Sequence, residues 1–434
     1  MIATLESVTP EALSAELRQW MTSARWFTGE PGAEIEFGPS AVLAEGSART
    51  ELFVVHSGGT AFAVPLTFKN AGGSIAVYDA TDDADGQAAL LGAVYGQQAA
   101  ASGLTLCGAH PIRAAATVAS AKKLTSEQSN TSIIYRFDRP DDGSVGIILK
   151  VFRVLSDGSN PDVELQGALD SRGSRSVPRQ YGSVSGTWAG TTTHLLAAQE
   201  FLAGATDAWQ VIARQLGQTA SFTQQAEITA LGRLTREIHD ELAQAFPTVA
   251  PTDERREELV SQWHQRADAA IADAPALAPY REQIEEILAS PLARAWPAFQ
   301  RIHGDFHLGQ VLHVPDRGWV ALDFEGEPLR PLSQRVSPDL ALRDVAGMLR
   351  SFDYAGGSAE IAGGDPQALA EWTRLAQAAF MAGYGHISEE EHALLDALIL
   401  DKALYEVSYE AASRPTWLDI PVRGVLRLIA VTKP

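Results

Sequence analysis

The spacing of apolar and polar positions changes once along this chain. Up to about Phe201, short β-type runs dominate; beyond about Thr206, apolar residues recur at steps of three and four. In the first part, Glu51–His56, Thr60–Phe68 and Ser74–Asp79 are rich in Val, Phe and Thr. Gly-containing turns separate them, so the pattern predicts strands. Thr9-Pro10-Glu11 marks a helix start, with Thr9 as cap and Leu13, Leu17 and Trp20 as the apolar line. Gln87–Ala101 is read as helical. A second strand group follows at Thr131–Phe137, Val145–Phe152, Gly182–Trp188 and Thr191–Phe201. A helix from Pro161 to Ser171, capped by Asn160, interrupts it.

Beyond Thr206 the line Ile228, Leu231, Leu234, Ile238, Leu242 predicts a helix over Thr223–Phe246. Further helices are expected at 253–273, 277–289, 340–354, 367–383 and 389–412. Trp319–Phe324 stands out as a lone strand, and Asp353–Asp365, with two Gly pairs, is read as a loop.

Composition narrows the function classes. A length of 434 residues allows two or three domains, and 45% hydrophobic residues support a real core. The net charge of −20 argues against general binding to nucleic acid or to an anionic membrane. Cys107 is the single cysteine, which excludes an internal disulfide and fits a reducing cytoplasm. Met1–Glu6 has no basic leader pattern, and no apolar run is long enough to span a bilayer. The expectation is a soluble cytoplasmic protein.

The chemistry concentrates in His303-Gly304-Asp305-Phe306-His307-Leu308-Gly309-Gln310 and in the later strand ending Asp323-Phe324-Glu325. Asp305 followed five residues on by the amide Gln310, then by a strand-end Asp323, has the spacing of a kinase catalytic loop and metal site. Phosphoryl transfer needs these groups. A carboxylate accepts the attacking hydroxyl's proton, here Asp305. Hard oxygen donors hold Mg²⁺, here Gln310 and Asp323. Glu325 either joins that metal set or orients Asp323. His303 orients the loop, and His307 is placed to face an acceptor. Lys150, ending Ile147–Lys150, and Glu164 in the following helix match the strand-lysine and helix-glutamate pair that positions nucleotide phosphates. The loop around Ser129, Asn130 and Thr131 offers hydroxyl and N–H groups to ATP, and Gln199–Phe201 stands where an adenine hinge is expected. On the late helix, Tyr405, Glu406, Tyr409 and Glu410, with Trp417 beyond, are read either as a solvated face or as a sugar-binding face. No P-loop, Rossmann glycine pattern, serine elbow or His-Glu-x-x-His motif is present.

Glu127–Ser132, Leu149–Glu164, His303–Gln310, Asp323–Pro328, Arg343–Tyr354 and Asp401–Glu410 with Arg414, Pro415 and Trp417 together resemble the actinobacterial maltokinase and glucosamine kinase group. This group lies within the aminoglycoside-phosphotransferase-like superfamily. The likeness covers about residues 120–430, and Gln310 points to this branch rather than to the antibiotic kinases, which carry Asn there. It implies an α+β, bilobal, protein-kinase-like fold with ATP in the cleft: an N-terminal cap over 1–105, a β-rich N-lobe over 106–203 and a helical C-lobe over 204–434. Near the start, Arg25-Trp26-Phe27 resembles an early family signature, but Thr28–Gly32 lacks the basic residues expected there. That departure, with the unusual Ala355–Gly364 stretch, turns the expectation toward glucosamine phosphorylated at O6. Maltose phosphorylated at O1 is the close alternative. An aminoglycoside acceptor and a silent kinase-fold binding protein are the more distant ones. No nucleic acid, membrane or obligate protein partner is called for.

Overall fold

The computed structural model describes residues 1–6, 9–29, 32–96, 100–109, 117–124, 130–141, 144–327 and 330–431. They form two compact units. One comprises residues 1–167 with 178–203; the other comprises 168–177 with 204–434. Sheets build the first and helices the second, an α+β arrangement.

In chain order the first unit contains β1 (Ala3–Leu5), α1 (Pro10–Met21), β2 (Ile35–Glu45), β3 (Ala48–Ser57), β4 (Thr60–Asn70), β5 (Ile75–Asp79), α2 (Ala84–Val94), β6 (Ala100–Ser102), β7 (Thr105–Ala109), β8 (Val118–Lys123), β9 (Asn130–Asp141), β10 (Ser144–Phe152), β11 (Val154–Leu155), α3 (Pro161–Ser171, whose last turn belongs to the second unit), β12 (Gln180–Trp188) and β13 (Thr191–Glu200). One sheet runs β1-β5-β4-β3-β2-β6, with β11 added on β4; the other runs β7-β12-β13-β10-β9-β8. Every pairing is antiparallel. Alternation explains the burial: in β10, Ile147, Leu149 and Val151 are fully buried on one face. Thr9 caps α1 by accepting from the Ala12 amide at 3.2 Å.

A buried polar contact ties β5, β9 and β10 together. The fully buried Arg153 donates through Nη2 to Asp79 at 2.7 Å and through Nε to the Thr131 hydroxyl at 2.9 Å. Its guanidinium lies 4.9 Å from the Trp26 ring. Trp26, part of the early signature, is therefore a core residue.

The second unit contains β14 (Thr206–Asp207), α4 (Ala208–Leu216), α5 (Gln225–Ala245), α6 (Asp253–Asp273), α7 (Arg281–Ala289), β15 (Val311–Val314), β16 (Gly318–Ala321), α8 (Leu332–Arg335), α9 (Leu342–Ile361), α10 (Pro366–Tyr384), α11 (Glu389–Ser413) and α12 (Asp419–Val431). A capping box at Ser388 and Glu391 starts α11. No helix among the described residues is long and apolar enough to cross a membrane.

Three local expectations need correction. The helix read at Gln87–Ala101 begins at Ala84, because Asp83 caps it through the Asp85 and Gly86 amides, and ends at Val94; Ala100–Ser102 is instead a strand on β2. The lone strand is not alone: β16 pairs with β15, which pairs with β14. The loop read at Asp353–Asp365 is largely helix, since α9 continues to Ile361. Its Gly356 and Gly357 are packing points: a Cβ on Gly356 would overlap Thr373, and one on Gly357 would meet Ile420 at 2.7 Å. The expectation also lacked β1, β2, β6, β7, β8, β11, β14, β15, α4, α8 and α12.

Candidate active site

The loop from His303 to Gln310 is held mainly by the polar face of α9. Asp344 is buried and accepts the His303 amide through Oδ2 and the Gly304 amide through Oδ1, both at 2.9 Å. His239 Nε2 lies 3.1 Å from the same carboxylate. Burial works against ionisation of Asp344, but His239 and the backbone donors outweigh it and hold the group below its ordinary value of 3.8. Three residues on, a Cβ at Gly347 would meet the Phe306 carbonyl at 2.6 Å, so only glycine lets α9 approach the loop. One turn later the Ser351 hydroxyl accepts the Leu308 amide at 3.0 Å. His303 lies between the Phe306 and Phe324 rings, with Nε2 2.8 Å from the Leu322 carbonyl. That contact is the orienting role its position implied.

This scaffold presents Asp305 half-exposed. Its Oδ1 lies 3.7 Å from Lys402 Nζ and its Oδ2 lies 4.0 Å from His307 Nε2. Lys402 makes its short contact elsewhere, 2.6 Å to Glu327. Burial opposes the lysine charge, yet Glu327 and Asp305 hold its pKa above the usual value. Partial burial pushes the Glu327 carboxyl up, and Lys402 and Arg330 nonetheless hold it down to about 2. Burial pushes the His307 imidazole below its usual value, against the pull of Asp305.

Asp305 and His307 open into a cavity of about 540 Å³ within the helical unit. At its far end Glu406 is buried against Arg350, which donates to it at 2.6 and 2.8 Å and also pairs with Asp353. Burial pushes the Glu406 carboxyl up, and Arg350 pulls it back. Glu410 is buried as well, accepting from Tyr354 at 3.0 Å and from Arg414 at 2.5 and 3.0 Å. Tyr405 stacks near Tyr409, and Tyr354 near Trp417, with ring centroids 6.4 and 6.2 Å apart. Seven residues singled out in the sequence thus line one cavity: Asp305, His307, Tyr405, Glu406, Tyr409, Glu410 and Trp417. Its ionisable lining sets five carboxylates (Asp305, Glu327, Asp344, Glu406, Glu410) against three cations (Arg343, Lys402, Arg414).

Beside the loop, Gln310 Nε2 lies 3.3 Å from Asp323 Oδ2, and Asp323 and Glu325 bring carboxylate oxygens within 4.8 Å of one another. Asp323 adopts φ +62°, a left-handed conformation uncommon outside glycine. The Asp323 and Glu325 carboxylates suit a hard divalent cation such as Mg²⁺, while Gln310 turns its amide nitrogen toward Asp323.

In the sheet unit, Lys150 Nζ pairs with Asp162 Oδ2 at 2.9 Å. Asp162 precedes the expected Glu164 by two residues, in the first turn of α3, where its amide is capped by Asn160 Oδ1 at 2.8 Å. Asn130 begins β9 opposite Phe152. Thr131 corrects its assignment to the phosphates: its side chain is buried and its hydroxyl is engaged by Arg153, so it cannot present that hydroxyl to a nucleotide. Ser129 lies outside the described residues. Gln199 is paired within its sheet with Ile148 and Gln180. The Phe201 amide donates to the Gly146 carbonyl at 3.0 Å, and Arg136 covers its ring at 4.8 Å. That amide is therefore not available to an adenine ring.

The chain can now be compared with known proteins. Residues 164–378 match the phosphotransferase enzyme family. It is similar to a glucosamine kinase of Mycolicibacterium smegmatis, 29% identical over 337 residues covering 71% of this chain and 79% of that protein. A glucosamine kinase of Streptacidiphilus jiangxiensis is 27% identical over 332 residues, covering 71% and 73%. Among solved structures, a glucosamine kinase in complex with glucosamine, ADP and inorganic phosphate superposes with a TM-score of 0.70 at 23% identity, covering 92% of this chain and 94% of that one. That likeness establishes a shared fold across nearly the whole of both chains.

Sequence reasoning missed Lys402 and Glu327 as residues of this cavity and Asp344, Gly347 and Ser351 as supports of the loop. The signal was present. Asp, Gly and Ser at i, i+3 and i+7 form a second, non-apolar face on a helix whose apolar face, Leu342, Val345, Leu349, Phe352, is buried core.

Proposed function

We propose that this protein phosphorylates glucosamine from ATP, giving glucosamine 6-phosphate, with Asp305 as the general base. The observation that carries this reading is the cavity itself. It places a half-exposed carboxylate at one end of a pocket whose lining has an excess of negative charge, which suits a small cationic acceptor. The glucosamine kinases named above support the same acceptor.

Asp305 takes the proton of the 6-hydroxyl as the hydroxyl oxygen bonds to the γ-phosphorus and the bond to the β-phosphate oxygen breaks, releasing ADP. Lys402 and His307 flank the two carboxylate oxygens of Asp305, at 3.7 and 4.0 Å. Gln310, Asp323 and Glu325 would hold Mg²⁺, which supplies charge neutralisation at the phosphates. On the sheet unit, Lys150, steadied by Asp162 and Glu164, serves the phosphates. In this reading residues 1–105 are a cap, 106–203 a nucleotide lobe and 204–434 the acceptor lobe. An ATP-dependent enzyme with one exposed thiol, Cys107, suits the reducing cytoplasm.

The test is ADP release with Mg-ATP across glucosamine, maltose, N-acetylglucosamine and kanamycin. Preference for glucosamine supports the assignment. Preference for maltose or kanamycin replaces the acceptor, and no release with any of them removes the kinase reading.

A further inference from the structure

The helical unit holds a second cavity, of about 600 Å³, between the 249–266 and 330–343 segments. Its charge is opposite to that of the first. Four guanidinium groups, Arg255, Arg266, Arg330 and Arg343, line it against two carboxylates, Glu258 and Asp339, in a chain whose net charge is −20. The carboxylates that orient three of these arginines include two that do not line the cavity. Asp401 accepts from Arg266 at 2.5 and 3.0 Å and from Arg343 at 3.4 Å. Glu327, which lines the substrate cavity instead, accepts from Arg330 Nε at 2.8 Å. Arg266 thus engages Nε and Nη2, Arg343 Nε and Nη1, and Arg330 Nε and Nη1. A guanidinium has donors on all three nitrogens, so each keeps one nitrogen without a partner among the described residues. Thr252, Gln262 and Ser333 add neutral hydrogen-bonding groups to the wall.

We propose that this cavity binds a small phosphate monoester and that the bound anion slows turnover in the neighbouring substrate cavity. Fixed guanidinium planes with spare N–H groups suit phosphate oxygens, and the hydroxyl and amide groups suit the sugar-like remainder. Communication follows the ion pairs. Arg343 lines both cavities, and Arg330 leads through Glu327 and Lys402 to Asp305. An anion that draws on Arg330 weakens its hold on Glu327. Glu327 then draws Lys402 away from Asp305. This second half rests on Asp305 being the base.

The experiment titrates the full chain, with glucosamine saturating, against inorganic phosphate and against glucose 6-phosphate by calorimetry, and follows ADP release over the same range. Arg255→Glu is the discriminating variant. Among the described residues the Arg255 side chain pairs only with Glu258 on its own exposed helix face, so basal turnover is expected to stay unchanged. Saturable binding of glucose 6-phosphate, weakened about tenfold or more by the charge reversal, is expected. If phosphate alone binds as tightly, the site reads only the anion, and the sugar-phosphate assignment is overturned. Binding of neither probe, or binding indifferent to both Arg255→Glu and Ser333→Glu, overturns the site. Binding without a fall in turnover overturns the coupling. A protein that releases no ADP yet binds the anion separates failure of the kinase reading from failure of this one.

Discussion

The two ends of the cavity in the helical unit are built on different electrostatic terms. At the far end, Glu406 and Glu410 meet arginine or tyrosine donors at 2.5–3.0 Å and are buried. At the Asp305 end, the cation and imidazole neighbours of the carboxylate among the described residues stand off at 3.7 and 4.0 Å, and the group stays half-exposed. Closely paired carboxylates fix a wall, because an ion pair with satisfied hydrogen bonds resists rearrangement inside a protein. A loosely flanked carboxylate keeps lone pairs free for a substrate hydroxyl. Sequence type alone does not separate these roles; partner distance does.

That contrast breaks first at Asp305. Asp305→Asn is expected to lower turnover by roughly 10²–10⁴ while nucleotide binding and melting temperature stay near wild type, read by ADP release and calorimetry. At the other end the loss should be in folding. Arg350→Met strands Glu406 and Asp353 as buried charges and should cost about 3–5 kcal/mol in urea unfolding. Lys402→Met is expected to lower kcat about tenfold with little change in the KM for ATP, since it loosens the base without touching the sheet unit. The smallest effect concerns acid. Asp344 titrates lower in the folded state than its ordinary 3.8, so the stability it contributes is complete above that value and is lost as pH falls through its depressed pKa. Asp344→Asn should flatten that acid limb in melting temperature against pH; an unchanged limb would mean that another group carries it.

Local patterns made much of this legible. Periodicity located the long helices, and the spacing from Asp305 to Gln310 and on to Asp323 singled out a loop and a carboxylate that the structure brings together. What stayed hidden depends on contacts distant in sequence. A separation of 41 positions between His303 and Asp344 conceals the bond that shapes the loop. One of 75 between Glu327 and Lys402 conceals the ion pair near Asp305. The glycines at 356 and 357 read as a loop because propensity favours a turn, and the close approach of neighbouring helices overrides it. Thr131 read as a phosphate donor because its buried partner, Arg153, is 22 residues away.

The central claim is that an acidic cavity recognises a cationic sugar beside Asp305. Its most direct test is the ratio of kcat/KM for glucosamine to that for glucose, which differ only in an ammonium replacing a hydroxyl. The account predicts a preference for glucosamine of about 10–100-fold, the worth of one charge-assisted contact. Equal ratios, or a preference for glucose, would contradict it.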